Sequence, residues 1–299
     1  MLWLANGNLA SAVSNRGGLG VVSPFAGMAE DGDGVDNFEK EIHKARNLTQ
    51  RPFGVNIPLD LNESGLLVDT AIRERITIII MSSGDPSIYT DLIHSSGGKV
   101  LHVVGTVEQA RKAEESGVDA LIVEGSEAGG HLGLNEIPLF SILPQVIDVV
   151  SIPVIAAGGI VDARGFVAAL SLGAEGIQMG TRFVAVKENP ASLEYKEAIL
   201  SAGDTDTVIT SRKLSPTRSL NIGFVQNLKR LEDSGATKEE LRRFLGFRRA
   251  RKAQLDGDLN QGEAYAGASA GLIREIVTVE NVITELVQGY ERIVKSLSQ

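Results

Sequence analysis

Short apolar runs recur through the first two thirds of the chain, and between them apolar residues fall at helical spacing. Leu19–Val22, Phe53–Ile57, Ile76–Met81, Lys99–Val104, Asp119–Glu124, Pro153–Ala157 and Gly176–Met179 read as strands. Runs such as ITIIIM are continuous instead of alternating, which is the signature of strands buried on both faces of a parallel sheet. Ala5–Arg16, Phe38–Leu48, Gly65–Glu74, Ser87–Ser95, Thr106–Ser116, Leu139–Val149 and Asp162–Leu172 read as helices, several of them stopped by glycine at Gly17, Gly97, Gly117 and Gly173. A strict alternation of strand and helix implies right-handed βαβ units and a parallel sheet covered by helices.

Seven strands are one short of a closed (β/α)8 barrel, and the chain opens on a helix where a barrel helix should follow a strand. The expected fold is therefore an α/β TIM barrel whose first strand is missing from this chain, its place lying before Ala5, with an additional C-terminal helical segment. After Pro190 the alternation stops. Lys229–Lys252 is charged at helical spacing, and Glu239, Glu240, Arg242, Arg243, Arg248, Arg249, Arg251 and Lys252 read as solvated helix faces, the alternative being a basic patch for a ligand or an acidic carrier protein. The expected organisation is a barrel from residues 1–189 and 262–299, including an amphipathic helix over Glu280–Leu297, with 190–261 as a helical insertion or lid.

Composition agrees with one large core: 299 residues and 31.8 kDa, with 43% hydrophobic and 22% charged residues, against roughly 250 residues for a typical barrel. A net charge of −9 argues against nucleic acid and anionic membrane as partners. The chain has no cysteine, which excludes disulfides, thiolate metal sites and cysteine nucleophiles. It contains no apolar run of the ~18 residues that a membrane span needs and no basic segment before its first apolar residues, so the expected location is cytoplasmic.

Candidate chemistry gathers where strands open into glycine. EGSEAGGHLG (Glu124–Gly133) places His131 in a glycine-rich loop at a strand end, where an imidazole is accessible and suited to acid/base work near neutral pH. AAGG (Ala156–Gly159) and MGTRF (Met179–Phe183) follow the last two strands, the usual phosphate position of a barrel, and their backbone N–H groups and the Thr181 hydroxyl can hold an anion. The alternative is that these glycines only turn the chain. No Walker lysine and no GxGxxG is present in the His131 loop, and no His and carboxylate set has metal-ligand spacing, so neither a nucleotide loop nor a metal is expected. His102, inside LHVV, either lines the same pocket or is a core imidazole; His43 and His94 fall on helices and read as surface residues. GEAYAGASAGLI places Tyr265 and Ser269 in a stretch of small residues that either packs helices closely or forms a lid over a flat ligand.

VSNRGGLG, RPFGVN, EGSEAGGH, IPVIAAGGI, GAEGIQMGTRF and ASAGLI, in this order, resemble the nitronate monooxygenase family, formerly the 2-nitropropane dioxygenases, from Asn6 to Ile273. The same motifs are similar to the flavin-dependent enoyl-acyl-carrier-protein reductases, a sister branch. The resemblance implies an FMN-dependent barrel in which Asn56 and Gln178 meet the isoalloxazine or ribityl chain, Gly158, Gly159, Gly180 and Thr181 hold the phosphate, and His131 is the catalytic acid or base. Met1, Gly129 and Gly130 would line the cofactor, and His102, Tyr265 and Ser269 the substrate pocket. The departure from the family is at the start, where a strand ending in Gln-Gly-Pro-Met or Gln-Gly-Gly-Met is expected and only Met1 matches.

Two reactions follow from the resemblance. In the preferred one, FMN and O2 oxidise an alkyl nitronate to a carbonyl compound and nitrite, His131 acting as base. In the other, NAD(P)H reduces the flavin and hydride passes to an enoyl thioester on a carrier protein; His102 tilts the balance toward nitronate oxidation, because some nitronate oxidases carry a pocket histidine there. A non-catalytic flavin barrel is the third reading. The expected partners are thus a small-molecule substrate with O2 or NAD(P)H, with a homodimer among the possible assemblies.

Overall fold

The computed structural model describes residues 1–29 and 32–298. Its strands are β1 (Gly20–Val22), β2 (Phe53–Pro58), β3 (Ile78–Ser82), β4 (Lys99–Val104), β5 (Ala120–Glu124), β6 (Gly130–His131), β7 (Val154–Ala157), β8 (Gly176–Gln178), β9 (Thr207–Thr210) and β10 (Thr217–Leu220). Seven of them form one parallel sheet in the order β1-β2-β3-β4-β5-β7-β8, with β1 and β8 at its edges. Because each helical crossover adds the next strand on the same side, the sheet curls as it grows.

Two apolar layers record that curl. Val21, Ile80, Leu101, Val103, Ile122, Ile155 and Ala157 form one cluster, which joins β1 to β7 across the interior. Their sequence neighbours Val22, Ile79, Val100, Val104, Leu121, Val123, Val154 and Ala156 face the opposite way, packed against helix residues such as Phe38, Ile42, Leu67, Ala110 and Ile142. Side chains alternate across a strand, so parity within each strand decides which residues can reach the barrel mouth. The α/β barrel of seven parallel strands read from the apolar pattern is observed.

Three elements differ from that reading. The second helix spans Gly34–Leu48, four residues earlier than Phe38, because the Asp33 carboxylate caps it by accepting from the backbone N–H of Val35 and Asp36 at 2.8 and 3.0 Å. The expected helix over Ser87–Ser95 divides into a 3-10 turn, Pro86–Ile88, and a short helix, Thr90–Ser95. Residues 190–261 are not wholly helical: the threonine-bearing β9 and β10 form a hairpin, and β10 also pairs antiparallel with β6, with Thr217 opposite His131. The hairpin thus binds this segment to the histidine loop.

Beyond the hairpin, helices Gly223–Asp233 and Lys238–Leu245 build a small core of their own from Phe224, Leu228, Ala236 and Leu241, with the Phe224 and Phe244 rings stacked at 4.8 Å. Part of the charged run faces solvent as expected, with Arg243 paired to Glu239, while Arg251 reaches Asp256 at 2.7 Å and the Met28 carbonyl at 3.1 Å. The long helix Val279–Leu297 dresses the outside of the barrel. Its Gly289 faces Ala163 so closely that a Cβ there would lie 2.4 Å from the Ala163 methyl.

Candidate active site

Parity brings a polar ring to the top of the apolar barrel interior. Val55 and Ile57 belong to the outer layer, so Asn56 between them points inward, where its side-chain amide donates to the Ile80 carbonyl and to Ser82 Oγ, both at 3.2 Å. Ile177 likewise packs outward and leaves Gln178 on the inner face, and Leu121 and Val123 leave Glu124 there. Burial raises the Glu124 carboxyl to about 7, against the opposing pull of the Met1 amine. A carboxyl that titrates near neutrality at the mouth of an apolar barrel is able to hold or release a proton.

Four glycine-bearing loops interlock above this ring. Gly129 lies against the backbone of Ala266 and Gly267, where a Cβ would come within 2.6 Å. Ala268 N–H donates to the Glu127 carbonyl at 2.8 Å, and Gly267 N–H to Thr181 Oγ1 at 3.0 Å. Ser269 Oγ approaches Gly159, and Met1 approaches Gly180, at 3.6 and 3.9 Å from the respective Cβ positions. Gly158 and Gly159 have φ of +99° and +71°, and a Cβ on Gly158 would meet the Gly125 carbonyl oxygen at 2.9 Å. Only glycine serves at such a turn. A recess of about 200 Å3 opens beside Gly158, Gly159 and Ser269.

His131 closes the site. Its Nδ1 lies 3.3 Å from Ser215 Oγ, and the Tyr265 ring stands edge-on to it at 5.8 Å and 69°. The imidazole is open to solvent, yet the surrounding protein displaces enough water to lower its pKa, with Asp60 opposing the shift. It is neutral at pH 7, able to take a proton at one nitrogen or donate an N–H from the other.

His102 corrects an expectation. It shares the outer face of β4 with Val100 and Val104, so it points away from the barrel mouth and does not line the substrate pocket. On the helix side of the sheet it lines, with Ser83, Asp85, Gln109 and Lys112, a groove of about 560 Å3. Burial lowers its pKa to about 4, and Nδ1 has no partner. Even residue spacing in a strand tells which residues share a face but not which face is inner, and LHVV is apolar on both. His43 and His94 lie on the surface, paired with Glu74 and Asp119.

Glu124 and Glu263 are ionisable groups of the candidate site that the glycine-rich motifs do not mark. Glu124 was detectable as the one ionisable residue sharing parity with Ala120 and Ile122 in ALIVE. Glu263 had a weaker signal, an acid two residues before Tyr265 in a stretch of small residues. The structure also brings Glu39, His43 and Glu74 within metal-ligating reach, but Glu74 is held by Arg46 and Glu39 by Arg73.

The donor set fits a flavin mononucleotide. An apolar floor carries amide side chains suited to ring edges, and backbone turns that exclude a Cβ suit a phosphate approaching closely. Arg182 does not contribute, since it is buried and donates to the Ala185 and Glu275 carbonyls.

Fold and site together define a flavin-type barrel oxidoreductase. A model of the family described as nitronate monooxygenase matches residues 1–67 and 65–289. A probable nitronate monooxygenase of Staphylococcus aureus is 34% identical over 271 residues, covering 75% of this chain and 74% of the relative. A 5-hydroxy-7a-methyl-1-oxo-octahydro-1H-indene-4-carboxyl-CoA dehydrogenase of Rhodococcus jostii is 37% identical over 231 residues, which are 77% of this chain and only 63% of that relative's length. Among solved structures, FabK from Thermotoga maritima superposes with a TM-score of 0.93 and 38% identity, covering 100% of this chain and 93% of that one. The chain belongs to the nitronate monooxygenase family. Among the described residues no helix is long and apolar enough to cross a membrane.

Proposed function

We propose that this chain is an FMN-dependent oxidoreductase that works on an acyl thioester, reducing an enoyl thioester with electrons from NAD(P)H. The observation that carries the choice of substrate is the similarity to FabK of Thermotoga maritima, at 38% identity and a TM-score of 0.93 over the whole of this chain. His102, which would have favoured the nitronate, stands outside the pocket. The similarity to a carboxyl-CoA dehydrogenase supports the same class.

In this reading Gly158, Gly159, Gly180 and Thr181 hold the phosphate, Asn56 and Gln178 meet the flavin ring or ribityl chain, and Met1, Gly129 and Gly130 line it. When bound, FMN supplies two-electron transfer. A bound thioester would meet His131, with Tyr265 as wall and Ser269 at the rim. As negative charge develops on the thioester oxygen, an N–H of the neutral imidazole stabilises it. The same imidazole relays the proton that the α-carbon receives, taking one from solvent at one nitrogen as it gives one from the other and ending neutral.

Nitronate oxidation is the second reading, favoured by the family match and the Staphylococcus aureus relative. There the neutral His131 is the base, and O2 is the co-substrate. Anaerobic stopped-flow separates the two. Fast bleaching by NADH or NADPH, followed by reoxidation with a crotonyl thioester, is the expected result; bleaching by a nitronate but not by nicotinamide would overturn the thioester assignment.

A further inference from the structure

Glu263 is 5% exposed, and a carboxyl buried to that degree requires partners. It has two, both hydroxyls. Tyr265 Oη donates to Oε2 at 3.2 Å, and Thr217 Oγ1 donates to Oε1 at 3.5 Å. Each of these hydroxyl residues flanks His131 from a different side. Tyr265 presents its ring edge-on to the imidazole, and Thr217 is the residue directly opposite His131 in the β6–β10 pair. The Tyr265 ring is held at its backbone as well, since its carbonyl accepts from the Tyr195 hydroxyl. Gly130, with φ of +87°, leaves the ring its place: a Cβ there would sit 3.4 Å from Tyr265 Cδ2.

We propose that Glu263 is a positioning residue for His131, which fixes the imidazole by holding Tyr265 and Thr217 together through one carboxyl. It touches neither substrate nor flavin. The charged and titratable groups around the unit are Arg249, which faces Glu263, Tyr195, which faces Tyr265, and Asp60, which faces His131. Burial raises the Glu263 carboxyl to about 7, while the hydrogen bonds from Tyr265 and Thr217 favour its ionised form, the form that accepts from both hydroxyls. The inference rests on the proton work assigned to His131 above.

The test uses the full chain loaded with FMN and three variants, Glu263→Ala, Glu263→Gln and Thr217→Val. Two readouts are taken: kcat and KM with the thioester, and the titration of the His131 ring by NMR. The chain has four histidines, and the His131 signal is the one lost in His131→Ala. Glu263→Ala is expected to lower kcat by roughly 10- to 100-fold through misplacement of the imidazole, with KM nearly unchanged and the His131 titration midpoint displaced. Glu263→Gln keeps an acceptor oxygen in place and restores most of kcat. Thr217→Val removes one arm only and gives a smaller change of the same sign; if Glu263→Ala does not fold, this variant carries the test. An unmoved His131 titration in Glu263→Ala or Thr217→Val overturns the proposal whatever the rate does. So does a Glu263→Gln variant as impaired as Glu263→Ala. Should His131→Ala itself leave turnover unchanged, the assigned function fails, and the NMR titration still decides the role of Glu263.

Discussion

Two histidines in this chain have their pKa lowered by burial, and the consequences differ because one faces the barrel mouth and the other its helix layer. In the proposed function His131 exchanges a proton with the substrate, so His131→Ala should reduce turnover by roughly 10²- to 10⁴-fold while FMN stays bound. Steady-state kinetics with the flavin content monitored check this, and an unchanged kcat removes His131 from the mechanism. His102 should instead affect stability. Its folded pKa of about 4 lies below the ordinary 6.5, so as pH falls the unfolded chain takes up the proton first. The folded state therefore has its full advantage above pH 6.5 and loses it progressively down to about 4, a change on the order of 3 kcal/mol. Thermal melts of His102→Asn between pH 7 and 4.5 should show a shallower decline than the parent chain, with kcat at pH 7 within about twofold because the residue lies outside the site. A decline of equal steepness would mean that His102 is not buried as described.

The strands and most helices could be read from apolar spacing because the sheet is parallel and covered, which leaves continuous runs such as ITIIIM between glycine stops. What spacing could not supply was the face. Asn56 and His102 both lie inside apolar strands, yet one is inner and the other outer, and only the packing of their neighbours Val55 and Ile57, or Val100 and Val104, distinguishes them. The β9–β10 hairpin escaped notice because TVIT and TRSL are short and mixed, and their pairing with β6 is set by tertiary contact instead of local propensity. The glycine turns, in contrast, were conspicuous, and one of them makes a direct prediction. Gly158→Val places a β-branched side chain at φ +99° and within 2.9 Å of the Gly125 carbonyl oxygen. It should weaken FMN binding by roughly tenfold or more, since αL backbone alone costs about 1–2 kcal/mol in an L-residue, and an equilibrium titration of apoprotein with FMN reads the change. Unaltered affinity would show that this turn does not cradle the phosphate. In the helical part, Leu241 is fully buried in the small core with Phe224 and Leu228. Leu241→Ala should cost about 2–5 kcal/mol and appear as proteolysis within 223–245 before the barrel itself is cut.

At the scale of the whole molecule, the chain is a curled parallel sheet whose open end is assembled from segments far apart in sequence. The loops at 125–131, 158–159, 180–181 and 265–269 meet through backbone hydrogen bonds, the Thr181 hydroxyl and close approaches at glycine. The hairpin of residues 207–220 then clamps the histidine loop from outside. The motifs could be seen one by one in the sequence, but their convergence over the inward amides Asn56 and Gln178 is a property of the curled sheet. The central claim is that this convergence is a flavin site. The visible spectrum of the purified chain after reconstitution with FMN and removal of free cofactor tests it most directly. Close to one flavin per chain is expected, with an absorbance band near ~450 nm whose shape differs from that of free FMN, a property of the bound cofactor. A chain that emerges from the same treatment with no absorbance there would contradict it.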